Sequence, residues 1–167
     1  TIAVAGSPEG HISCRSLEAD ISFLKQKQDE GADYIMTQLC WDMDQFRYWM
    51  DAIKTAGITM PVDVGIMPVL AADSTINMAL SRNGCVMPRA LCELISKYWI
   101  FPNPFAPNES EESIAAKKAD FKKAGIEYTI KLIDEYRVCG INGIHLYALN
   151  KYEDVAYLVK ESGIKDM

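Results

Sequence analysis

The sequence predicts an α/β protein built on parallel strands, and three observations carry the prediction. Short apolar runs bounded by Gly, Pro or polar residues alternate with longer segments of helical period. The clearest run, Tyr34-Ile35-Met36, has no polar alternation, as expected for a parallel strand covered on both faces. Each run also ends in residues suited to a loop or to ligand binding: Gly6–His11, Thr37-Gln38, Gly65–Pro68 and Tyr147–Lys151. Parallel strands bring all four ends to one rim.

Taken in order, Ile2–Ala5 is the first strand, and the Gly/Pro-marked stretch Gly6–His11 is its loop. Ser13 or Ser16 caps a helix reaching about Glu30, with Leu17, Ile21 and Leu24 as its buried stripe and Gln28 on the same face. Gly31 closes it, and the strand Tyr34–Gln38 follows. Asp42 caps the next helix, which buries Phe46, Trp49, Met50 and Ile53 and ends before Gly57. Pro61–Val64 is the third strand, with Gly65–Val69 as its loop. A helix is predicted from Asp73 to Ser81, a turn at Asn83-Gly84, and a helix from Pro88 to about Trp99. Phe101–Asn108 reads as irregular and Pro-rich. Ser110 or Ser113 starts a long helix to about Val138, with Ile126, Ile130 and Ile133 inward and Gly125 loosening its middle. Ile144–Tyr147 is the fourth strand, and a last helix spans about Lys151–Glu161.

Four β/α units form either a small doubly wound domain or half of a TIM barrel, which typically needs about 250 residues. The chain has 167 residues, starts with Thr rather than Met, and opens directly in a strand pattern. These features favour half of a barrel, in a chain that is a piece of something longer.

Composition narrows the function. With 17 Lys+Arg against 23 Asp+Glu, the chain lacks the concentrated basic face of a nucleic-acid binder. Long uncharged apolar runs are missing, so no membrane span is expected, and the opening residues carry no basic lead-in of a signal peptide. Cys14, Cys40, Cys85, Cys92 and Cys139 are scattered without a C-x-x-C pair, which points to reduced thiols in a cytoplasmic protein.

Candidate chemistry sits at the strand ends. Gln38 offers a donor and an acceptor to an amide-like heterocycle edge, or else ties down neighbouring loop backbone. His11 lies in a loop where a ring could rest against a cofactor, or is solvated. His145, inside a strand, reads as a core residue. Asp20 and Lys27 share a helix flank and suit a hydroxyl and a phosphate, or are solvated charges. Ser7 with His11 lacks the acid of a nucleophile triad. Two distant His make no metal site, and neither G-x-G-x-x-G nor a P-loop occurs.

Several segments in order resemble the C-terminal half of the methylenetetrahydrofolate reductase family, flavin-dependent (β/α)8 enzymes of one-carbon metabolism. They are Val4–His11, Glu18–Asp20, Leu24–Lys27, Asp29–Asp33, Ile35–Gln38, Gly65–Val69 and His145–Lys151. The resemblance implies that His11, Asp20 and Lys27 contact the ribityl, diphosphate and adenosine parts of a flavin, with Ser7 and Cys14 beside them. It implies that Gln38 meets both folate pterin and nicotinamide, that Lys151 lies near the folate glutamate tail, and that Tyr147 and Ser74 line the substrate side. It further implies reduction of 5,10-methylenetetrahydrofolate to 5-methyltetrahydrofolate, with NAD(P)H or an electron-transfer protein as donor and an oligomeric complete protein.

Departures from the family pattern accompany the resemblance. Ser7 stands where the family usually has an aromatic residue, and Phe23 and Gln26 where it has polar or basic groups at the adenosine end. A family Gln near Ser74 and a family Phe near Met78, which touch folate, are replaced here. Weakened adenosine recognition would let FMN replace FAD. No catalytic residue is assigned to this chain: the family's general acid belongs to the N-terminal half, so the 167 residues alone are expected to be inactive. The rival expectations are a non-catalytic half-barrel subunit that pairs with another chain or with itself, and another flavin- or phosphate-binding barrel enzyme.

Overall fold

The computed structural model describes residues 1–81, 85–98 and 109–166. Its strands are β1 (Ala3–Gly6), β2 (Tyr34–Thr37), β3 (Val62–Ile66) and β4 (Gly143–Leu146). The helices are α1 (Leu17–Asp29), α2 (Met43–Thr55), α3 (Ala72–Ala79), α4 (Arg89–Tyr98), α5 (Glu111–Val138) and α6 (Tyr152–Ser162). The turn expected at Asn83-Gly84, the helix end at Trp99 and the irregular stretch Phe101–Asn108 lie outside the described residues.

The strands form one parallel sheet in the order β1-β2-β3-β4. Right-handed crossovers between successive neighbours place every connecting helix on the same side of such a sheet. Burial follows that rule. Ile35, Val62, Val64 and Ile66 are sealed on the helical face, whereas Ala3, Ala5, Tyr34, Met36, Asp63 and His145 on the other face are exposed or half-buried. The expectation that β2 is covered on both faces is therefore corrected: among the described residues only one face has a helical layer. A doubly wound domain, with helices on both faces and a reversal of strand order, is not what is seen.

Local chemistry sets the helix starts. Ser16 Oγ accepts from Ala19 N at 3.3 Å, Asp42 Oδ1 from Asp44 N at 3.0 Å, and Ser110 Oγ from Ser113 N at 3.2 Å. These caps satisfy donors that the first helical turn leaves free. Pro88 lies one residue outside α4 rather than inside it, and its carbonyl accepts from Leu91 N and Cys92 N. At the sheet's N-terminal end Gln28 joins α1 to the approach of β3. Its Oε1 accepts from Thr59 N at 2.7 Å and Met60 N at 3.2 Å, and its Nε2 donates to Gly57 O at 3.2 Å.

The core lies between the sheet and the helices. Phe46 and Trp49 of α2 are fully buried, and Phe46 meets Tyr136 of α5 edge to face at 4.7 Å. Such a pair adds about 0.5–1.5 kcal/mol beyond its area burial. The Tyr136 hydroxyl donates to the Cys40 carbonyl, fixing α5 against the β2–α2 loop. Gly125 does not loosen α5 as expected. It admits the β3–α3 loop: a Cβ there would fall on the Val69 carbonyl oxygen. Thr129 Oγ1 completes the contact, donating to Gly125 O at 2.8 Å and accepting from Val69 N at 3.1 Å. β3 also runs two residues further than expected, taking in Gly65 and Ile66.

Candidate functional site

β1, the C-terminal end of β2 and the Tyr147 ring after β4 line a half-open cavity of about 680 Å³. Its walls are the loop Gly6–Ile12, the segment Met36–Leu39 and Tyr147. Small Ala3 and Ala5 on the open face of β1 leave its floor low. A recess of about 20 Å³ adjoins it, shared by Ser74, Lys151 and, again, Tyr147. Ser7, His11, Gln38 and Tyr147 thus meet in one cavity, and Ser74 and Lys151 lie on the far side of the same tyrosine.

The β1–α1 loop is held from several sides. Gly10 N donates to Ser7 O at 2.9 Å, and Gln45 Nε2 of α2 donates to Pro8 O at 2.7 Å. Asp20 accepts from His11 N at 3.1 Å through Oδ2 and from Cys14 Sγ at 3.4 Å through Oδ1. Lys27 Nζ donates to Ala5 O at 3.1 Å. Asp20, Cys14 and Lys27 therefore stand behind the loop and shape it; they are not among the groups that line the cavity. His11 Nδ1 accepts from Ser13 N at 3.2 Å, so in the neutral ring Nε2 carries the proton and faces outward as a donor.

The Gln38 amide ties down loop backbone through its oxygen, one of the two expected readings, and leaves only its NH2 group unpaired among the described residues. Its Oε1 accepts from Leu39 N at 2.9 Å. The fixed oxygen orients the free NH2 group as a donor at the cavity wall. Gln38 N also donates to Gly6 O at 2.8 Å, joining the β1 and β2 rims.

Tyr147 is placed by its backbone and by a missing side chain. Its N–H donates to Ile66 O at 2.9 Å, and a Cβ on Gly65 would lie 2.9 Å from Tyr147 Cε2 and collide with the Thr37 carbonyl. Glycine at 65 is thus what lets the ring lie across β3 between cavity and recess. Burial pushes the Tyr147 phenol above its ordinary range. His145 is not the core residue expected: it is half-buried on the open face, edge to face with Tyr147 at 4.9 Å. Beyond Tyr147, Leu149 and Asn150 both take left-handed backbone, with φ of 45° and 62°. That conformation is unfavourable for Leu and tolerated by Asn, and strain of this kind concentrates at ligand-facing loops.

Glu9 is the residue sequence reasoning passed over. Its Oε2 accepts from Val86 N at 2.8 Å, joining the cavity loop to the approach of α4. Its Oε1 is buried with no partner among the described residues. Burial raises the Glu9 carboxyl, opposed by the Val86 hydrogen bond and by the neighbouring Cys40 thiol, with nearby Asp42 reinforcing the rise. Burial also pushes the Cys40 thiol far up, and pushes Cys85 up to about 12 with help from the Glu9 charge. Both stay protonated near neutrality and are poor nucleophiles. All five cysteines are free of disulfides. Met36 and Leu39 also line the cavity and were missed; the alternation of Met36 with buried Thr37 is the signal that would have found Met36.

Comparison with known proteins gives a consistent result. The family model described as methylenetetrahydrofolate reductase matches residues 1–163. Methylenetetrahydrofolate reductase 1 of Schizosaccharomyces pombe is 31% identical over 165 residues, covering 99% of this chain and 24% of the relative. Methylenetetrahydrofolate reductase (NADH) 1 of Arabidopsis thaliana is 29% identical, covering 99% and 26%. A probable methylenetetrahydrofolate reductase (NADPH) of Caenorhabditis elegans is 27% identical, covering 98% and 22%. The chain spans about a quarter of the length of these curated relatives.

Proposed function

Since the chain belongs to the methylenetetrahydrofolate reductase family, we propose that it forms the C-terminal half of a (β/α)8 barrel that reduces 5,10-methylenetetrahydrofolate to 5-methyltetrahydrofolate. The observation carrying this reading is the meeting of three strand ends, with His11, Gln38 and Tyr147, around one cavity on the C-terminal rim. That rim is where barrel enzymes keep their chemistry. The cavity volume lies in the range of small-molecule sites, and a low floor beneath outward-facing donors fits a flat ring system.

Flavin, when bound, supplies the two-electron transfer between a nicotinamide donor, NADH or NADPH, and the folate. This chain's own residues bind and orient. Gln38 Nε2 donates to a carbonyl or ring nitrogen of whichever partner occupies the cavity. His11 Nε2 and the Ser7 hydroxyl offer polar contacts to the cofactor, and Asp20, Lys27 and Cys14 preset the loop that carries them. Tyr147 divides the ring site from the recess, where Ser74 and the Lys151 ammonium face an anionic tail. Exposed Phe23 and Gln26 offer the adenosine end no charge, so the flavin is FAD or, with adenosine recognition weakened, FMN; chromatography of the released flavin decides between them.

Among the described residues that line the cavity, no carboxylate is free to act as general acid. The carboxyl that belongs to the cavity walls, Glu9, is clasped by Val86 on one oxygen and sealed on the other. The proton donor is therefore assigned to the completing half, and the 167-residue chain alone is expected to be inactive. Two measurements test the reading. In the assembled protein, flavin absorbance bleached by NADH or NADPH should recover on adding 5,10-methylenetetrahydrofolate; no response to the folate would overturn the assignment. Turnover by the isolated chain would overturn the division of labour.

A further inference from the structure

Asp63 is a charged residue near the start of β3, pointing to the sheet face that no helix covers among the described residues. Its strand partners place it between Met36 of β2 and Gly143 of β4. The carboxylate lies over Gly143, where a Cβ would come within 2.5 Å of Oδ1. It is half-buried and has no hydrogen-bond or ion-pair partner among the described residues. His145, two residues along β4 from Gly143, meets Tyr147 edge to face instead of pairing with Asp63.

We propose that the open face receives a second, non-identical β/α half that sets a basic side chain against Asp63. The inference rests on the barrel reading above and adds the chemistry of the partner. Inside a closed eight-stranded barrel, side chains pack in layers of four drawn from alternate strands. Two copies of this chain, related by a twofold axis along the barrel, would put both β3 strands in the same parity. Asp63 and its copy would then share one layer, and two carboxylates there repel without compensation. The face therefore selects against a second copy and for a cation. A lone carboxylate is a poor neighbour for an apolar layer and a good one for Arg or Lys.

The test is the thermal midpoint of the assembled protein with Asp63→Leu and Asp63→Lys. If a basic group faces Asp63, both variants strand it in the interior, and both midpoints fall, Lys further than Leu. If the opposing group is neutral, Asp63→Leu removes an unpartnered charge and the midpoint rises; that result overturns the cation and leaves the barrel standing. If neither variant moves the midpoint, the face stays in water, and the barrel reading fails with the inference. Sedimentation of the isolated chain is the second readout. The wild type should not form a closed dimer, and Asp63→Leu should strengthen self-association by about 100-fold or more. A tight twofold dimer of the wild type would overturn the proposal.

Discussion

Gly125→Ala is the substitution for which local and tertiary terms point in opposite directions. In an exposed helix it would stabilise by about 1 kcal/mol, because glycine is the poorer helix former. Gly125 is buried against the β3–α3 loop, and the added methyl would fall on the Val69 carbonyl oxygen and within 3.0 Å of Val69 Cγ1. Backbone cannot rotate aside as a side chain does, so α5 and the loop must part. Overpacking of this kind costs about 1–3 kcal/mol. Parting also breaks the 3.1 Å bond from Val69 N to Thr129 Oγ1. A buried N–H left unpaired adds about 1–3 kcal/mol. The net is a loss of about 1–5 kcal/mol, which urea denaturation should report as a fall of about 0.5–2 M in midpoint at unchanged slope. Thr129→Val removes the same bridge from the other side, so the double variant should lose less than the sum of the two. A midpoint that stays or rises in Gly125→Ala would refute the close approach and return the residue to the role of a helix softener.

Other outcomes follow from the site. Glu9→Gln keeps an acceptor for Val86 N and removes a carboxyl that burial holds above its ordinary range. A group raised in the folded state contributes stability below its unfolded range and loses it as pH climbs through the raised value. The variant should therefore melt higher than wild type near neutral pH, with the gap closing on acidification; a gap independent of pH would contradict the burial of Glu9. Gly65→Ala should push Tyr147 from the wall it shares between cavity and recess. A displacement near 1 Å costs about 100-fold in kcat/KM, and wild-type kinetics would remove Tyr147 from the site. Gln38→Ala takes away both the Leu39 tie and the free donor. In the assembled protein of the proposed function, folate-dependent kcat/KM should drop about 10–100-fold, and an unchanged value would exclude that amide.

What the sequence revealed and what it hid divide by distance along the chain. Ser16, Asp42 and Ser110 are legible as caps because a cap and its donors lie within three residues of each other. The buried stripes of α1 and α2 are legible because periodicity is local too. The end of β3 was misread because Gly65 punctuates like a loop residue, whereas its reason lies across the sheet in Thr37 and Tyr147. Gly125 failed in the same way, its partner being a loop carbonyl 56 positions earlier. At the site, the position of Gln38 followed from the rule that strand ends share a rim. Which half of its amide is free did not follow, because Leu39 N decides it. Glu9 stayed silent because its partner, Val86, lies 77 residues away. His145 was misplaced because a strand histidine on a one-sided sheet has an even choice of faces, and nothing adjacent settles it.

Gln28 works at the opposite pole from all of this. One amide gathers the turn after α2 and the approach to β3 into a seam beneath the sheet, well away from the rim that carries Gln38 and Tyr147. This fastening thus sits at the end of the sheet remote from the ligand-facing rim. Substitutions in that seam should alter how long the protein survives heat while leaving its choice of ligand alone.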